Sequence, residues 1–143
     1  MTMNKNKMEN KKSKEVIRSF EDLDVYKLAR QFSRKIGELI KKLPPEEEYN
    51  LKGQMRRAKL SMTNNIAEGY GRYHYQENIQ FCRQSRGSMC ELIDDFNECF
   101  DNGYIDEEYR DELKGDGYHL IKVLNGYVAS LKRLKAKSLN GVT

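Results

Sequence analysis

The sequence has no tryptophan, two prolines, three cysteines and two histidines among 143 residues. Each shortage excludes something. The prolines are adjacent, Pro44 and Pro45, so the long stretches on either side lack the residue that breaks helices. Cys82, Cys90 and Cys99 are an odd number with no C-x-x-C pair, which argues against a disulfide framework. The thiols read instead as small hydrophobes. With only His74 and His119, a di-iron bundle site lacks its two Glu-x-x-His pairs, and zinc lacks a ligand set. No metal or other cofactor is expected. No apolar run approaches the ~20 residues of a membrane span. The charged N-terminus has no apolar segment behind it, so no secretory signal is expected and the expected location is the cytoplasm. Catalytic patterns are missing too: no G-x-S-x-G, no phosphate-binding glycine loop, no cysteine with a convincing histidine partner. The paired acids Asp94 and Asp95 sit in a heavily charged stretch and read as a solvated face. The expectation is a protein that is not an enzyme.

What the chain does have is charge, unevenly distributed. Residues 1–14 hold Lys5, Lys7, Lys11, Lys12 and Lys14 against Glu9, which equals the whole net charge of +4. From Lys52 to Arg86 seven cations (Lys52, Arg56, Arg57, Lys59, Arg72, Arg83, Arg86) face only Glu68 and Glu77. From Glu91 to Asp116 eleven acids face only Arg110 and Lys114. Such an asymmetry can orient partners or neighbouring subunits.

The chain also has helical periodicity. Leu23, Leu28, Ala29, Phe32, Ile36, Leu39, Ile40 and Leu43 recur at three- and four-residue steps, predicting a first helix from about Glu21–Asp22 to Pro44. Pro45 suits the first position of a second helix, with Glu46–Glu48 in its first turn and Leu51, Met55, Ala58, Met62 and Ile66 as its stripe. That helix should stop at Gly69. A third should run from about Tyr75 to Asp101 and end at Asn102-Gly103. Asp106 reads as the N-cap of a fourth, which carries Leu113, Leu120, Leu124, Val128, Leu131 and Leu134 and which Gly115 and Gly117 are expected to kink or break. Short connections between amphipathic helices imply an all-α, antiparallel up-and-down four-helix bundle over 18–137. Residues 1–17 read as a mobile basic tail and 138–143 as a frayed C-terminus.

Lys52, Arg56, Lys59 and Thr63 follow four-three-four spacing and form a ridge beside the apolar stripe, with Arg57 pointing away from it. Arg83 and Arg86 lie about one turn apart on the next helix. Cations gathered on one surface can track phosphates. The same pattern also fits a plain solvated face, or arginines paired with the acids of another subunit. Leu60 lies away from the stripe and points to a second buried face, hence to oligomerisation. Gly87-Ser88 inside a helix is explained by close approach of another helix, within the bundle or across subunits.

Several segments taken together resemble a known family. Phe20-Glu-Asp-Leu23 with Val25-Tyr26 and Ala29, then Gln54-Met-Arg-Arg-Ala58, Ser61, Asn65-Ile-Ala-Glu-Gly69 with Gly71-Arg72, and finally Phe81 with Gly87-Ser-Met-Cys-Glu-Leu92, occur in order over residues 20–135. This pattern resembles the 23S ribosomal RNA intervening-sequence proteins, a family that includes the accessory variability determinant of diversity-generating retroelements. The resemblance implies bacterial origin, no enzymatic activity, and a homopentameric barrel. For the retroelement branch it implies binding to a reverse transcriptase and to RNA and DNA. Carried over by position, Arg56 and Arg57 match the family's basic pair and Arg72 the arginine after the glycine loop. Asn65, Glu68 and Gly69 match the loop-end motif, where Asn65 and Glu68 are expected to satisfy backbone groups and tie the loop. Glu91 is expected to pair with an arginine of the preceding helix. The chain departs from the family at Lys59, usually small or apolar, and at His74, usually a small hydroxyl cap.

Overall fold

A computed structural model of the chain describes residues 16–139. Most of the expected basic tail therefore lies outside the described residues, as does 140–143. Ser138 and Leu139, expected to fray, continue the last helix. The described residues form four α-helices and no strands: α1 (Asp24–Lys42), α2 (Leu51–Tyr70), α3 (Tyr75–Asp101) and α4 (Glu107–Leu139).

The chain enters α1 through a 3₁₀ turn, Phe20–Asp22, rather than starting the helix there. Ser19 and Asp22 form a reciprocal cap. The Ser19 hydroxyl accepts from the Glu21 amide at 3.1 Å, and the Asp22 carboxylate accepts from the Ser19 and Arg18 amides at 3.2 and 2.8 Å. Those backbone bonds hold the Asp22 carboxyl below its ordinary pKa. Pro44 ends α1 as expected, with Leu43 in extended geometry (φ −77°, ψ 149°).

Pro45 does not open α2. Pro45–Glu47 is a separate 3₁₀ turn, and Asn50 (φ −112°, ψ −100°) interrupts the backbone before Leu51. The three glutamates thus precede α2 rather than forming its first turn. Glu47 still serves it, since its carboxylate accepts from the Leu51 amide at 3.2 Å. At the other end α2 passes through Gly69 to Tyr70. The span of α3 is the expected one. Gly103 turns the chain with φ 76°, a conformation that favours glycine, and Asp106 caps α4 by accepting from the Tyr109 amide at 2.8 Å.

Gly115 and Gly117 do not break α4, which is continuous over 33 residues. The reason for Gly117 is packing. A Cβ there would stand 2.8 Å from Ile93 Cγ1 and 3.3 Å from Phe32 Cζ, so the absent side chain is what lets α4 approach α3 and α1. Gly115 faces open space.

Each helix packs on its neighbours in chain order, and α4 closes back on α1. Cross-helix pairs fix antiparallel directions: Ser85 with Met62 and Ser88 with Ser61 between α2 and α3, Arg86 with Asn125 and Lys114 with Asn97 between α3 and α4, Lys35 with Asp116 between α1 and α4. Phe96, Ile36, Leu39, Met55, Met62, Met89 and Leu124 fill the shared interior, with Phe32 edge-on to Phe96 at 5.9 Å. Cys82 and Cys99 are buried in it, and burial raises their thiols to about 11 and about 12; Cys90 is exposed. Leu134, expected in the stripe, is 43% exposed. Val123 and Tyr127 already lie beside Leu23 and Val25 at the start of α1, so two turns later α4 has no α1 residue to pack on.

Candidate nucleic-acid interface

The seven cations are held by two helices and the loop between them, and the structure does not gather them on one surface. At the start of α2 two of them are tied to one acid. Arg56 Nη1 donates to Glu48 Oε1 at 2.8 Å, and Lys52 Nζ lies 3.5 Å from Glu48 Oε2. The Arg56 bond first, and the neighbouring Lys52 charge with it, holds the Glu48 carboxyl below its ordinary pKa. Arg57 is exposed and lies along its own helix: Nη1 would be 3.3 Å from a Cβ at Gly53. Lys59 is half-buried beside Thr63, whose hydroxyl donates to the Leu60 carbonyl at 3.3 Å.

Arg72 sits beyond the end of α2. It donates to Glu68 at 2.8 Å and its guanidinium lies 4.8 Å from the Phe81 ring centroid. Glu68 thus meets the loop through the Arg72 side chain, where it was expected to satisfy backbone groups. Arg83 is exposed on α3, and Arg86 donates to Asn125 of α4 at 2.8 Å, turned away from α2. Among the described residues Arg57, Lys59 and Arg83 form no ion pair.

The motif residues divide between roles that were expected and roles that were not. Asn65 does not serve the helix end. Its amide donates to the Ser61 carbonyl at 2.8 Å and the Ser61 hydroxyl at 3.0 Å. Ser61 also accepts from Ser88 at 3.1 Å, and Ser85 donates to the Met62 carbonyl at 2.7 Å. These hydroxyls and the amide form a polar seam along α2 and α3. Gly69 is the close-approach glycine of that seam: a Cβ there would stand 2.7 Å from Asn78 Oδ1 and 2.9 Å from Phe81 Cβ. Gly87, expected to be one, is exposed with nothing within 4 Å, because it lies on the side of α3 that faces away from the bundle. Glu91 is exposed and forms no ion pair among the described residues.

Asp95 corrects the reading of the paired acids. Asp94 is exposed, but Asp95 is 6% exposed and its Oδ2 has no hydrogen-bond partner among the described residues. Burial pushes its carboxyl up to about 7, and Glu91, Asp94 and Glu98 add to the rise. The register explains this: Asp95 falls on the same side of α3 as Ser88, Leu92 and Cys99, which are buried.

Asn78 was not singled out in the sequence. It is buried under the α2–α3 loop, where its amide donates to the Tyr127 hydroxyl at 3.1 Å and its carbonyl oxygen lies 3.6 Å from Cys82 Sγ. Above it a cleft opens between that loop and the end of α4, lined by Tyr70, Arg72, Tyr73, Tyr75 and Tyr127. The recurrence of tyrosine at 70, 73 and 75 was the signal available for it. Among the described residues no cluster of His, Cys, Asp and Glu is arranged to hold a metal ion. No described helix is long and apolar enough to cross a membrane.

No curated protein matches the chain. A solved structure from Bacteroides thetaiotaomicron, described as a protein with unknown function from the S23 ribosomal protein family, is similar with a TM-score of 0.67. The two share 20% identity over 73% of this chain and 97% of the other, which speaks for the fold. The family model described as 23S rRNA-intervening sequence protein matches residues 21–126, a span from the cap of α1 to the middle of α4 and well over half of the sequence. The chain belongs to the 23S rRNA-intervening sequence protein family.

Proposed function

We propose that this protein is a non-catalytic, oligomeric nucleic-acid-binding bundle, which holds RNA or DNA backbones on its exposed cations and positions them for a partner such as a reverse transcriptase. The observation that carries the reading is that three of the seven cations, Arg57, Lys59 and Arg83, are exposed or half-buried and form no ion pair among the described residues. None of the eleven acids between Glu91 and Asp116 forms an ion pair with them among the described residues. Exposed cations gain by releasing the counterions condensed on phosphates. In a homopentameric barrel each cation would recur five times, so weak contacts per subunit would add up. The homopentamer belongs to the proposal.

The test is binding of a structured RNA and a matched DNA duplex across a salt series. Affinity should fall steeply with salt. The double variant Arg57→Gln, Arg83→Gln should weaken binding and lower the salt slope by about 2, roughly one per lost phosphate contact. Absence of binding at low salt would overturn the reading.

A second reading assigns the arginines to subunit contacts. It is favoured by Leu60, 59% exposed beside them, and by the unpartnered Asp95 carboxylate. On that reading Arg56→Ala lowers the oligomeric mass in sedimentation and leaves nothing for nucleic acid to lose.

A further inference from the structure

The α2–α3 loop and the first residue of α3 carry three consecutive rings, Tyr73, His74 and Tyr75. Tyr73 is 94% exposed, and its ring stands edge-on to the His74 imidazole at 5.0 Å, with an interplanar angle of 87°. Six of the nine large apolar or aromatic side chains exposed among the described residues are at this end of the bundle: Val16, Ile17, Tyr73, Tyr75, Leu134 and Leu139. Below the loop lies the cleft floored by Asn78 and Tyr127, about 280 Å³ in volume. That is close to the lower limit for small-ligand pockets, ~300 Å³, and suits one flat ring system rather than an extended ligand.

The charge that lines the cleft is Arg72, whose guanidinium also holds Glu68 at 2.8 Å. No acid lines it. The last turns of α4, which flank it, hold Lys132, Arg133, Lys135 and Lys137 without an acid between Tyr127 and Leu139. Lys135 reaches across to Gln76 at 2.6 Å, so this basic turn stands beside the start of α3. Tyr127, Ser130, Leu131, Leu134 and Ile17 lie outside residues 21–126, so much of the cleft is built from parts of this chain beyond the family match.

Exposed aromatic faces next to cations are what a single strand needs, since every base has a π-face to stack and every nucleotide a phosphate. A duplex offers no free base face away from its ends. We infer that this cleft is a docking site for unpaired nucleotides, with a base stacked on Tyr73 or Tyr75 and the flanking phosphates on Arg72 and the basic end of α4. The inference rests on the nucleic-acid reading above and narrows it to a place and a strandedness.

The test uses the full chain and two labelled probes, a twelve-nucleotide oligouridine and a twelve-base-pair RNA duplex, titrated at fixed salt. The oligouridine should bind more tightly than the duplex. Tyr73→Ala should weaken oligouridine binding by at least about fivefold, the lower end of what one stacked base is worth. It should leave duplex binding unchanged. Tyr73→Phe should restore the affinity, because stacking needs the ring and not the hydroxyl. Tyr73→Trp would place a lone indole in a chain that has none, and its emission should be quenched by oligouridine. If the wild type binds both probes but the Tyr73→Ala, Tyr75→Ala double variant binds oligouridine undiminished, the cleft is not the site and the general reading stands. If the double variant instead changes oligomeric mass with binding intact, the rings belong to a subunit contact and the inference fails. If the wild type binds neither probe, both readings fall together.

Discussion

At one end of the bundle the connections α1–α2 and α3–α4 meet, joined by the Tyr104 hydroxyl donating to Glu47 at 3.1 Å. Glu46–Glu48 and seven further acids between Glu98 and Glu112 crowd this end against Lys41, Lys42, Lys52, Arg56 and Arg110. At the other end the α2–α3 loop meets the close of α4, and there the side chains are tyrosines, exposed aliphatics and the cations of residues 132–137. The acidic end is closed by its own contacts: Arg110 over the Phe100 ring at 4.1 Å, Lys42 over Tyr109 at 4.6 Å, the Asp106 cap on α4. Among the described residues the aromatic end leaves Val16, Ile17, Tyr73, Tyr75, Leu134 and Leu139 exposed, where the acidic end leaves Tyr49. Internal satisfaction at one end and unused binding groups at the other teach where a partner has something to gain.

The sharpest way to break that contrast is Asp95, the one place in the acidic half where satisfaction fails. Its carboxyl is pushed from 3.8 up to about 7 by burial and by Glu91, Asp94 and Glu98. Below the ordinary value both the folded and unfolded chains hold the proton, and folding loses nothing. As pH rises the unfolded chain releases it first, so stability falls until the folded carboxyl also ionises, and levels off above about 7. Asp95→Asn has no such charge. It should match the wild type in urea unfolding at about pH 4 and exceed it by about 1–3 kcal/mol at about pH 8, the size of an uncompensated buried polar group. A variant less stable than the wild type at the higher pH would mean that a cation from another subunit reaches Asp95. The acidic half would then be an interface and not a finished surface.

Gly69 tests the other end. A methyl there meets Asn78 and Phe81 at 2.7 and 2.9 Å, and the Asn78 carbonyl, which is backbone, at 3.2 Å. Gly69→Ala should destabilise by about 1–3 kcal/mol despite the better helix propensity of alanine. It should also disturb the tyrosine loop that Gly69 leads into. A thermal midpoint equal to the wild type would show that α2 and α3 part easily here and that the cleft is soft. Smaller again is Asp106→Ala at the acidic end, which removes the acceptor for the Tyr109 amide and should lower stability by about 1 kcal/mol. A loss well below that would mean the acids at 107 and 108 hold the start of α4 without the cap.

The helices, their order and most of the core were legible because burial on a helix repeats every three to four residues, and Leu51, Met55, Ala58, Met62 and Ile66 are buried as their spacing requires. Neighbour identity was not legible, because periodicity gives a face and not what lies opposite. Spacing alone puts Arg86 on a surface shared with α2, yet its register turns it to Asn125 of α4. Asp95 reads as one of two surface acids until the side of α3 that meets α2 is known. Glycines are the plainest case. Gly69, Gly87 and Gly117 look alike in a helical sequence, but only the first and last have a side chain of another helix within 3 Å of the missing methyl.

Gly87 therefore supplies the smallest effect and the most discriminating one. Within the subunit nothing lies within 4 Å of its missing methyl, so the close helix that its presence implies is not in this bundle. If no other subunit covers that side of α3, Gly87→Ala should only gain helix propensity and stabilise the fold by about 0.5–1 kcal/mol. If a second copy packs there, the added methyl meets its backbone or side chains. The oligomer should then weaken in sedimentation while the isolated bundle, measured at high dilution, still gains. The second outcome would extend the polar α2–α3 seam outward into an assembly contact. It would place that contact between the acidic and aromatic ends, leaving the Tyr73 cleft open at the rim of each subunit.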